Sequence, residues 1–326
     1  MIHCPTGQEF SVTDTYAWLL LRQMINFPVA IFIFMASYFV NSRIIRTNAC
    51  MYVLHRGGEL LLPYFVWSSL YLIKDFVLCG NVSVRHIIYA FCAGKAVGPF
   101  YYIVVLVQLT LLTPWLVKIK KRKWMFAVTP LYLICLYIFN LYVGQMPRLY
   151  ETLFPAWFLF YLMGLDCREG KLVGAITRVR NWWIVVALGV SVVEAVVLLQ
   201  VGCAIGFASS QIRFGSFLYT SVIALVLMKN KEGKNTTGQI DQNDLHGVNR
   251  LLASIGDCSY GIFYAHMLVL MVAQKVVSLT WLSQIWITYF LACFVMTAIG
   301  SYLIVWGTRK VAEKLGCQSV LKVIGF

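Results

Sequence analysis

Acidic residues are scarce in this chain of 326 residues, which has 13 Asp and Glu against 27 Lys and Arg. Charged residues of both signs make up only 12% of the sequence, whereas 60% of the residues are hydrophobic. A soluble domain of this size needs a far more polar surface, so the composition excludes that class. The chain is therefore predicted to be an integral membrane protein.

Several common chemical motifs are also missing. The ten cysteines are scattered and form no C-x-x-C pair, so we expect neither a disulfide framework nor a metal site. The phosphate-binding patterns G-x-x-x-x-G-K-[ST] and G-x-G-x-x-G do not occur, and no internal repeat is visible. The first residues lack the basic and apolar regions of a signal peptide. Nothing in these patterns indicates a nucleotide-binding loop, a zinc ribbon or a repeat transporter.

Long apolar stretches predict an all-α fold, a polytopic bundle of transmembrane helices. We identify nine candidate spans, at residues 25–41, 60–79, 99–117, 124–143, 153–167, 182–200, 213–228, 258–277 and 281–305. The whole chain, 1–326, is interpreted as a single transmembrane domain. Its polar segment 229–250 is predicted to be a flexible cytoplasmic loop.

Lysine and arginine are concentrated in every second loop of this scheme. The basic clusters lie at 42–59, 118–123, 168–181, 229–252 and 306–326. By the positive-inside rule these loops and the C-terminus are cytoplasmic, and the loop 80–98 is outside. The net charge of +14 therefore reflects membrane topology, and no nucleic-acid partner is expected. The run 118–123 is interpreted as a solvated face near anionic lipid.

The same rule places residues 1–24 outside the membrane, with the apolar run 18–21 at the interface. An outside segment without a signal peptide has no obvious way to cross the bilayer. Either the first span translocates a short tail, or a preceding helix is absent from this sequence. The second interpretation is favoured because residues 1–5 read like the end of an apolar helix. One added helix would give ten spans.

Two ionisable groups lie deep inside predicted spans. His266 falls near the middle of the span 258–277, where an ionisable group is costly unless it faces a protein interior or a water-filled cavity. A histidine that is hydrogen-bonded for packing alone is the alternative. Glu194 has three open interpretations: a proton relay, a partner for Arg213 or a histidine, or a neutral hydrogen-bonded group.

Polar residues near the ends of other spans have two interpretations each. Arg56 precedes the span 60–79 and is either an interface anchor or a clamp for a phosphate-bearing cytosolic ligand, because guanidinium matches phosphate geometry. Ser37 either packs closely between helices or contributes to a site. The amide of Gln108 is predicted to be buried and must find hydrogen-bond partners.

Four segments of the chain, taken in order, resemble acyltransferase family 3, integral membrane enzymes that O-acetylate envelope glycans and related acceptors. The segments are FPVAIFIFMASYF at 27–39, RGGELLLPYFVW at 56–67, the stretch 101–114 with its Tyr-Tyr, Gln and Thr-Pro, and SYGIFYAH at 259–266. They recur in the family's order across most of the chain.

The resemblance implies an enzyme, an acyl-CoA-dependent O-acyltransferase. It would move an acetyl or other short acyl group from cytoplasmic acyl-CoA to a hydroxyl of a cell-envelope glycan or lipid-linked sugar. His3 falls where the family has the histidine that ends its first helix, so His3 and His266 are the implied catalytic residues and Arg56 the acyl-donor-binding residue. The implied substrate-pocket residues are Asn26, Ser37, Tyr101, Tyr102, Gln108, Ser259 and Tyr264.

Acetyl-CoA is then a co-substrate, and no permanently bound cofactor is expected. The expected partners are acyl-CoA, the glycan or lipid-linked sugar acceptor and membrane lipid, and the expected location is a bacterial inner membrane. Two residues depart from the family pattern: Glu59 stands where many members have a second basic residue, and Ala36-Ser37 replaces the usual Ser-Gly.

Two other classes of function stay open from the sequence. A transporter or flippase for a lipid-linked sugar or polysaccharide precursor would use His266, Glu194 and Arg213 as a substrate or proton path. A non-catalytic membrane subunit would keep the fold without the activity.

Overall fold

The computed structural model describes residues 12–41, 45, 47–80, 83–235 and 247–326. The secondary structure of this part of the chain is helical, which confirms the all-α prediction. The α-helices are α1 Val12–Met24, α2 Pro28–Tyr38, α3 Ala49–Cys79, α4 Val84–Cys92, α5 Tyr101–Lys118, α6 Val128–Val143, α7 Phe158–Arg168, α8 Val173–Arg178, α9 Trp183–Gln200, α10 Ile205–Ala208, α11 Phe214–Asn235, α12 Gly247–Ser278, α13 Trp286–Lys314 and α14 Gln318–Ile324.

Seven helical stretches among the described residues are long and apolar enough to cross a membrane. They are Tyr16–Tyr38, Ala49–Leu78, Gly98–Lys118, Lys123–Val143, Trp183–Gln200, Leu251–Ser278 and Ile287–Lys314. The predicted span 153–167 corresponds to α7, whose 11 residues are too few to cross about 30 Å of hydrocarbon. The predicted span 213–228 corresponds to the shorter apolar helix Phe214–Asn230. The count of nine spans is therefore not confirmed.

The prediction of an outer loop before Pro28 is wrong over its described part, because residues 12–24 form α1. Leu19 and Gln23 lie one helical turn apart and are both buried. α1 packs on α9, and the Ser191 hydroxyl of α9 donates to Gln23 Oε1 at 3.0 Å. The apolar run 18–21 thus has a helix as its partner instead of resting only at the interface.

The predicted turn before the second span is also shorter than expected. α3 begins at Ala49, so Arg56 lies inside the helix and not at its entrance. Gly57 and Gly58 follow it, and a Cβ added at either would meet nothing within 4 Å. Glycine costs about 1 kcal/mol relative to alanine in a helix interior, which a helix of 31 residues can absorb.

The predicted loop 229–250 is shorter than expected, because helices occupy both of its ends. α11 continues to Asn235, and α12 already begins at Gly247. The intervening residues 236–246 lie outside the part of the chain that the structure describes.

The chain divides into two compact units. The described part of unit 1 comprises residues 57–80, 83–100 and 247–326, and that of unit 2 comprises 12–41, 45, 47–56 and 101–235. The interpretation of 1–326 as one transmembrane domain stays a prediction.

In unit 1, an aromatic cluster holds α12 against α3. The Trp67 ring stacks on Tyr264, with centroids 6.1 Å apart and planes 12° apart. The Tyr71 hydroxyl donates to the Tyr264 carbonyl at 3.1 Å, and Phe100 packs edge-on against both tyrosine rings. Trp67 Nε1 also donates to the Ile324 carbonyl at 2.8 Å, which joins α14 to the same cluster. α12 and α13 form a long hairpin, and α14 packs on α13.

In unit 2, a glycine allows α2 and α7 to approach closely. A Cβ added at Gly164 would lie 1.9 Å from Ser37 Oγ and 2.2 Å from the Phe34 carbonyl oxygen. Small residues at such crossings are typical of helices that pack within membranes.

The interpretation of the run 118–123 as a solvated face is wrong for Arg122, whose residue exposure is 2%. Arg122 Nε donates to Asp166 Oδ1 at 2.7 Å, and Nη2 lies 2.9 Å from Glu169 Oε1. Burial alone would raise the pKa of Glu169, but hydrogen bonds from Lys171 and Arg122 bring it below the ordinary value of 4.5. The cluster therefore keeps Glu169 ionised at neutral pH. The partners of Arg122 lie in a distant part of the sequence, which is why the local run of charges did not indicate its burial.

Candidate functional site

Unit 2 contains a buried charge between helices, the guanidinium of Arg213. Its side chain is fully buried, and Nη1 lies 3.2 Å from Glu194 Oε2. Arg213 also donates to Gln23 Oε1 and, at 3.1 Å, to the Ser216 hydroxyl. The same Glu194 carboxylate accepts the Gly215 N–H at 2.8 Å. Of the three interpretations of Glu194, the structure shows the ion pair with Arg213.

The pairing of Glu194 removes much of the case for a proton path. Its other carboxylate oxygen accepts from the Tyr137 hydroxyl, so both oxygens have protein partners. A Cβ added at Gly215 would lie 2.7 Å from Glu194 Oε2 and 2.6 Å from the Ser191 Cα. The site is thus closely packed around the carboxylate, which is typical of a structural ion pair and leaves little room for a transported ion.

A second group of buried polar atoms adjoins this pair. The amide nitrogen of Asn26 donates to the carbonyls of Ser209 and Ser210, both at 3.2 Å, and Arg22 Nε donates to the Ser209 carbonyl at 2.9 Å. Asn26 Oδ1, Ser210 Oγ and Gln211 Oε1 are buried and have no hydrogen-bond partner within the described ranges. Buried polar atoms are rarely left unpaired, so these atoms need water or a hydroxyl-bearing ligand.

Tyr101 and Gln108 connect to this region through α5. The Gln211 amide donates to the Tyr101 hydroxyl at 2.7 Å, and the Tyr101 ring stacks on Trp157. Gln108 donates to the Thr152 carbonyl at 2.8 Å and accepts from the Phe154 N–H at 2.9 Å. Gln108 thus has the partners that its burial requires, and it holds the segment 152–154 beside α5.

The Arg56 guanidinium lies on an exposed part of α3, within electrostatic range of the Tyr161 hydroxyl. Tyr52, one turn earlier, hydrogen-bonds Tyr161, which also bonds the Thr113 hydroxyl. These side chains link α3 to Thr113 of α5 and to Tyr161 of α7. The predicted topology places Arg56 in the cytoplasmic segment 42–59.

The other predicted pocket residues of unit 2 have different surroundings. Ser37 is fully buried and donates to the Phe34 carbonyl at 2.8 Å, at the crossing with α7. That geometry favours the packing interpretation of Ser37. Tyr102 is half-buried, with its ring 6.4 Å from that of Phe32.

In unit 1, the structure places His266 on α12 with one ring nitrogen held by the backbone. Nδ1 lies 2.7 Å from the Phe263 carbonyl oxygen and 3.2 Å from that of Ile262. A carbonyl can only accept, so Nδ1 carries the hydrogen and Nε2 keeps its lone pair. The neutral ring is therefore oriented to accept a proton or a hydrogen bond at Nε2.

His266 lines a cavity of about 240 Å³ within unit 1. Thr297 and Ser301 of α13 lie in the same wall, and both hydroxyl oxygens are buried without a partner among the residues that the structure describes. The rest of the lining is largely apolar, with Leu270, Phe290 and other side chains of the hairpin. His266 is half-buried and shares this cavity wall with the two hydroxyls, and the choice between a functional His266 and one bonded for packing alone stays a prediction.

A family model for an acyltransferase domain, that of acyltransferase family 3, matches residues 1–306. The chain belongs to this acyltransferase family. No curated protein and no solved structure matches it. Membership, together with the seven apolar helices, makes the protein an integral membrane acyltransferase.

Three predicted site residues of the acyltransferase remain to be placed: His3, Ser259 and Tyr264. His3 lies outside the described residues. Ser259 is exposed on α12, and Tyr264 is fully buried in the aromatic cluster with its hydroxyl 3.1 Å from that of Tyr260. Tyr264 therefore positions α12, the helix that carries His266.

Sequence reasoning missed Thr297 and Ser301. The only signal for them was their spacing of four residues, which puts both on one face of the last long helix, and a threonine or serine there is more often a packing residue.

The expected lack of a metal site is untested by this structure, although within the described residues no cluster of three His, Cys, Asp or Glu lies close enough to hold an ion.

We predict that Glu194→Ala destabilises the acyltransferase by about 3 kcal/mol, because it leaves the buried Arg213 guanidinium without its counter-charge. Glu194→Gln should cost less, since the amide oxygen can still accept the Gly215 N–H. The measurement is the thermal stability of the detergent-solubilised protein. Equal loss in the two variants would show that the charge of Glu194 contributes nothing beyond its hydrogen bonds.

Proposed function

We propose that this acyltransferase moves an acetyl or another short acyl group from cytoplasmic acyl-CoA to a hydroxyl of a cell-envelope glycan or lipid-linked sugar. The family match across residues 1–306 carries the proposal, because it fixes the reaction class as acyl transfer. The arrangement of His266, with Nδ1 bonded to the Phe263 carbonyl and a cavity beside the ring, supports it.

The proposed reaction exchanges a thioester for an ester. The acceptor hydroxyl oxygen attacks the thioester carbonyl carbon, a C–O bond forms and the C–S bond breaks. The hydroxyl proton passes to a histidine and then to the leaving thiolate, which departs as CoA thiol. A neutral imidazole is suited to this transfer near neutral pH.

His3 is the proposed general base and His266 the supporting group, as the family resemblance implies. In the proposed topology His3 is on the outer side, where an acceptor hydroxyl can arrive. His266 is well suited to orient reacting groups, since its ring is held by the Phe263 carbonyl and its Nε2 keeps a lone pair.

Arg56 is the proposed donor-binding residue. Its guanidinium is exposed on α3 beside Tyr161, in the proposed cytoplasmic segment 42–59. Phosphate groups of CoA would be held there by charge-assisted hydrogen bonds, which are roughly twice as strong as neutral ones.

The acceptor is proposed to be polyhydroxylated. The buried oxygens of Asn26, Ser210 and Gln211 have unused acceptor capacity among the described residues, and sugar hydroxyls are donors that would satisfy them. The Gln211 amide donates to the Tyr101 hydroxyl, and the Tyr101 ring is buried against Trp157, so Gln211 is held in place beside these oxygens.

Orientation and location belong to the same proposal. The basic loops favour a cytoplasmic C-terminus, and an envelope-glycan acceptor fits a bacterial inner membrane. The transporter alternative is not favoured. Both carboxylate oxygens of Glu194 already have partners in Arg213, Tyr137 and Gly215, so the carboxylate is not available to bind a transported ion.

Replacing Arg56 tests the donor site. We expect Arg56→Ala to raise the apparent KM for acyl-CoA about tenfold, the effect of losing one or two kcal/mol of charge-assisted hydrogen bonding. Arg178→Ala is the matched control, since Arg178 is also exposed in a proposed cytoplasmic segment. The assay measures transfer from labelled acetyl-CoA to envelope glycan in membranes. An unchanged KM in Arg56→Ala would make this residue an interface anchor only.

The two histidines should respond unequally to substitution. We expect His3→Ala to abolish detectable transfer, because general-base assistance is worth on the order of 10²–10⁴ in rate. His266→Gln keeps a hydrogen-bonding amide and should retain a measurable fraction of activity. Turnover is normalised to membrane-inserted protein. Wild-type turnover in His3→Ala would remove the base assignment, and an inactive His266→Gln beside an active His3→Ala would reverse the roles.

A further inference from the structure

The cavity beside His266 has one polar and one apolar end. Ile262, His266 and Leu270 recur every four residues, so they lie along one face of α12. α13 returns antiparallel to α12, and a Cβ added at Gly300 would lie 2.8 Å from the Val269 side chain, which sets the level of the two helices. Counting along both helices from this contact places His266 at the Ser301 end of the cavity and Leu270 level with the stretch between Thr297 and Ser301.

The apolar end of the cavity lies further along the hairpin. Phe290 and Phe294 precede Thr297 on α13 and line the cavity together with Leu270. Leu270 is buried and belongs to a cluster with Val277 and Cys293. The cavity thus changes from hydrogen-bonding groups to hydrocarbon along its length.

The unpaired hydroxyls define the chemistry of the polar end. Ser301 is fully buried, and neither its oxygen nor that of Thr297 has a partner in the described part of the chain. Both hydroxyls can donate, so a carbonyl oxygen would satisfy them. Carbonyl oxygen at one end and hydrocarbon at the other is the pattern of an acyl group.

The size of the cavity exceeds what an acetyl group needs. An engineered apolar cavity of about 150 Å³ admits benzene, so the volume of about 240 Å³ has room for a chain of roughly six to eight carbons. The cavity is half open, because Phe294 and Ala298 of its lining are exposed, so a chain longer than acetyl can extend along its apolar end.

We infer that this cavity binds the acyl chain of the donor, with the thioester carbonyl at Thr297 and Ser301 and the hydrocarbon against Leu270, Phe290 and Phe294. The inference rests on the proposed function and extends it: the acyltransferase accepts medium-chain acyl-CoA in addition to acetyl-CoA. In the proposed topology the polar end is the one nearer the cytoplasm, from which the donor enters.

The test compares acetyl-, butanoyl-, hexanoyl- and octanoyl-CoA as donors in membranes that contain the acyltransferase and envelope glycan. Release of CoA thiol and label in the glycan are both measured. We expect the wild type to use hexanoyl-CoA at a rate within about tenfold of acetyl-CoA, because the added methylenes are buried at the apolar end of the cavity.

Filling the cavity supplies the decisive variant. Ala298 lines the exposed edge of the cavity, which Ile299 does not, and Ala298→Phe should lower the ratio of octanoyl to acetyl turnover at least about tenfold. Ile299→Phe is the matched control: Ile299 is the next residue of α13, is 54% exposed and should leave the ratio unchanged. If Ala298→Phe does not insert into the membrane, the smaller Ala298→Leu takes its place. A photoactivatable octanoyl-CoA should crosslink to residues of α13 between Phe290 and Ser301.

The outcomes distinguish failure of the inferred acyl-chain site from failure of the proposed acyltransferase function. Transfer of acetyl but no longer chain by the wild type would overturn the inference and leave the proposed function intact. An equal loss for all donors in an inserted Ala298→Phe, or crosslinking of the probe elsewhere, would also overturn it and would indicate that bilayer lipid fills the cavity. No transfer from any acyl-CoA would contradict the proposed function itself.

Discussion

The pairing of Arg213 with Glu194 is the constraint on which unit 2 depends. An uncompensated guanidinium inside an apolar bundle is costly, so the helices that carry its partners must stay together. Gln23 of α1, Glu194 of α9 and Ser216 of α11 all meet this one group. The pair thereby fixes the neighbouring Asn26 and Ser210, whose buried oxygens remain available for a ligand.

In unit 1, aromatic packing holds the helices together. Tyr264 is buried between Trp67 and Phe100, and this contact holds α12 at a set rotation against α3. His266 lies two residues further along α12, so the rotation also decides what its ring faces. Within the SYGIFYAH segment, Tyr264 thus positions His266.

Much of the fold could be predicted from the sequence, because the length of an apolar stretch identifies a membrane helix. The family was predictable as well, from four ordered segments. Helix ends were less so: the second span was predicted to begin at residue 60, but α3 already begins at Ala49.

The site was only partly predictable, for a different reason. Arg122 and Asp166, or Ser301 and His266, are far apart in the sequence, and their relations arise from packing that no local pattern encodes. The sequence did indicate His266, Arg213 and Glu194, since an ionisable group in an apolar span needs an explanation wherever it occurs. An unpaired hydroxyl, by contrast, is visible only once its neighbours are in place.

The proposed activity is the transfer of an acyl group from CoA to a hydroxyl of the cell envelope. The most direct measurement uses acyl-CoA that carries one label in the acyl group and another in the CoA moiety, incubated with membranes and envelope glycan. The account predicts that the acyl label appears in the glycan in an ester linkage while the CoA label is released as free thiol in equal amount. Movement of the glycan or its lipid-linked precursor across the membrane with no acyl label transferred would contradict it.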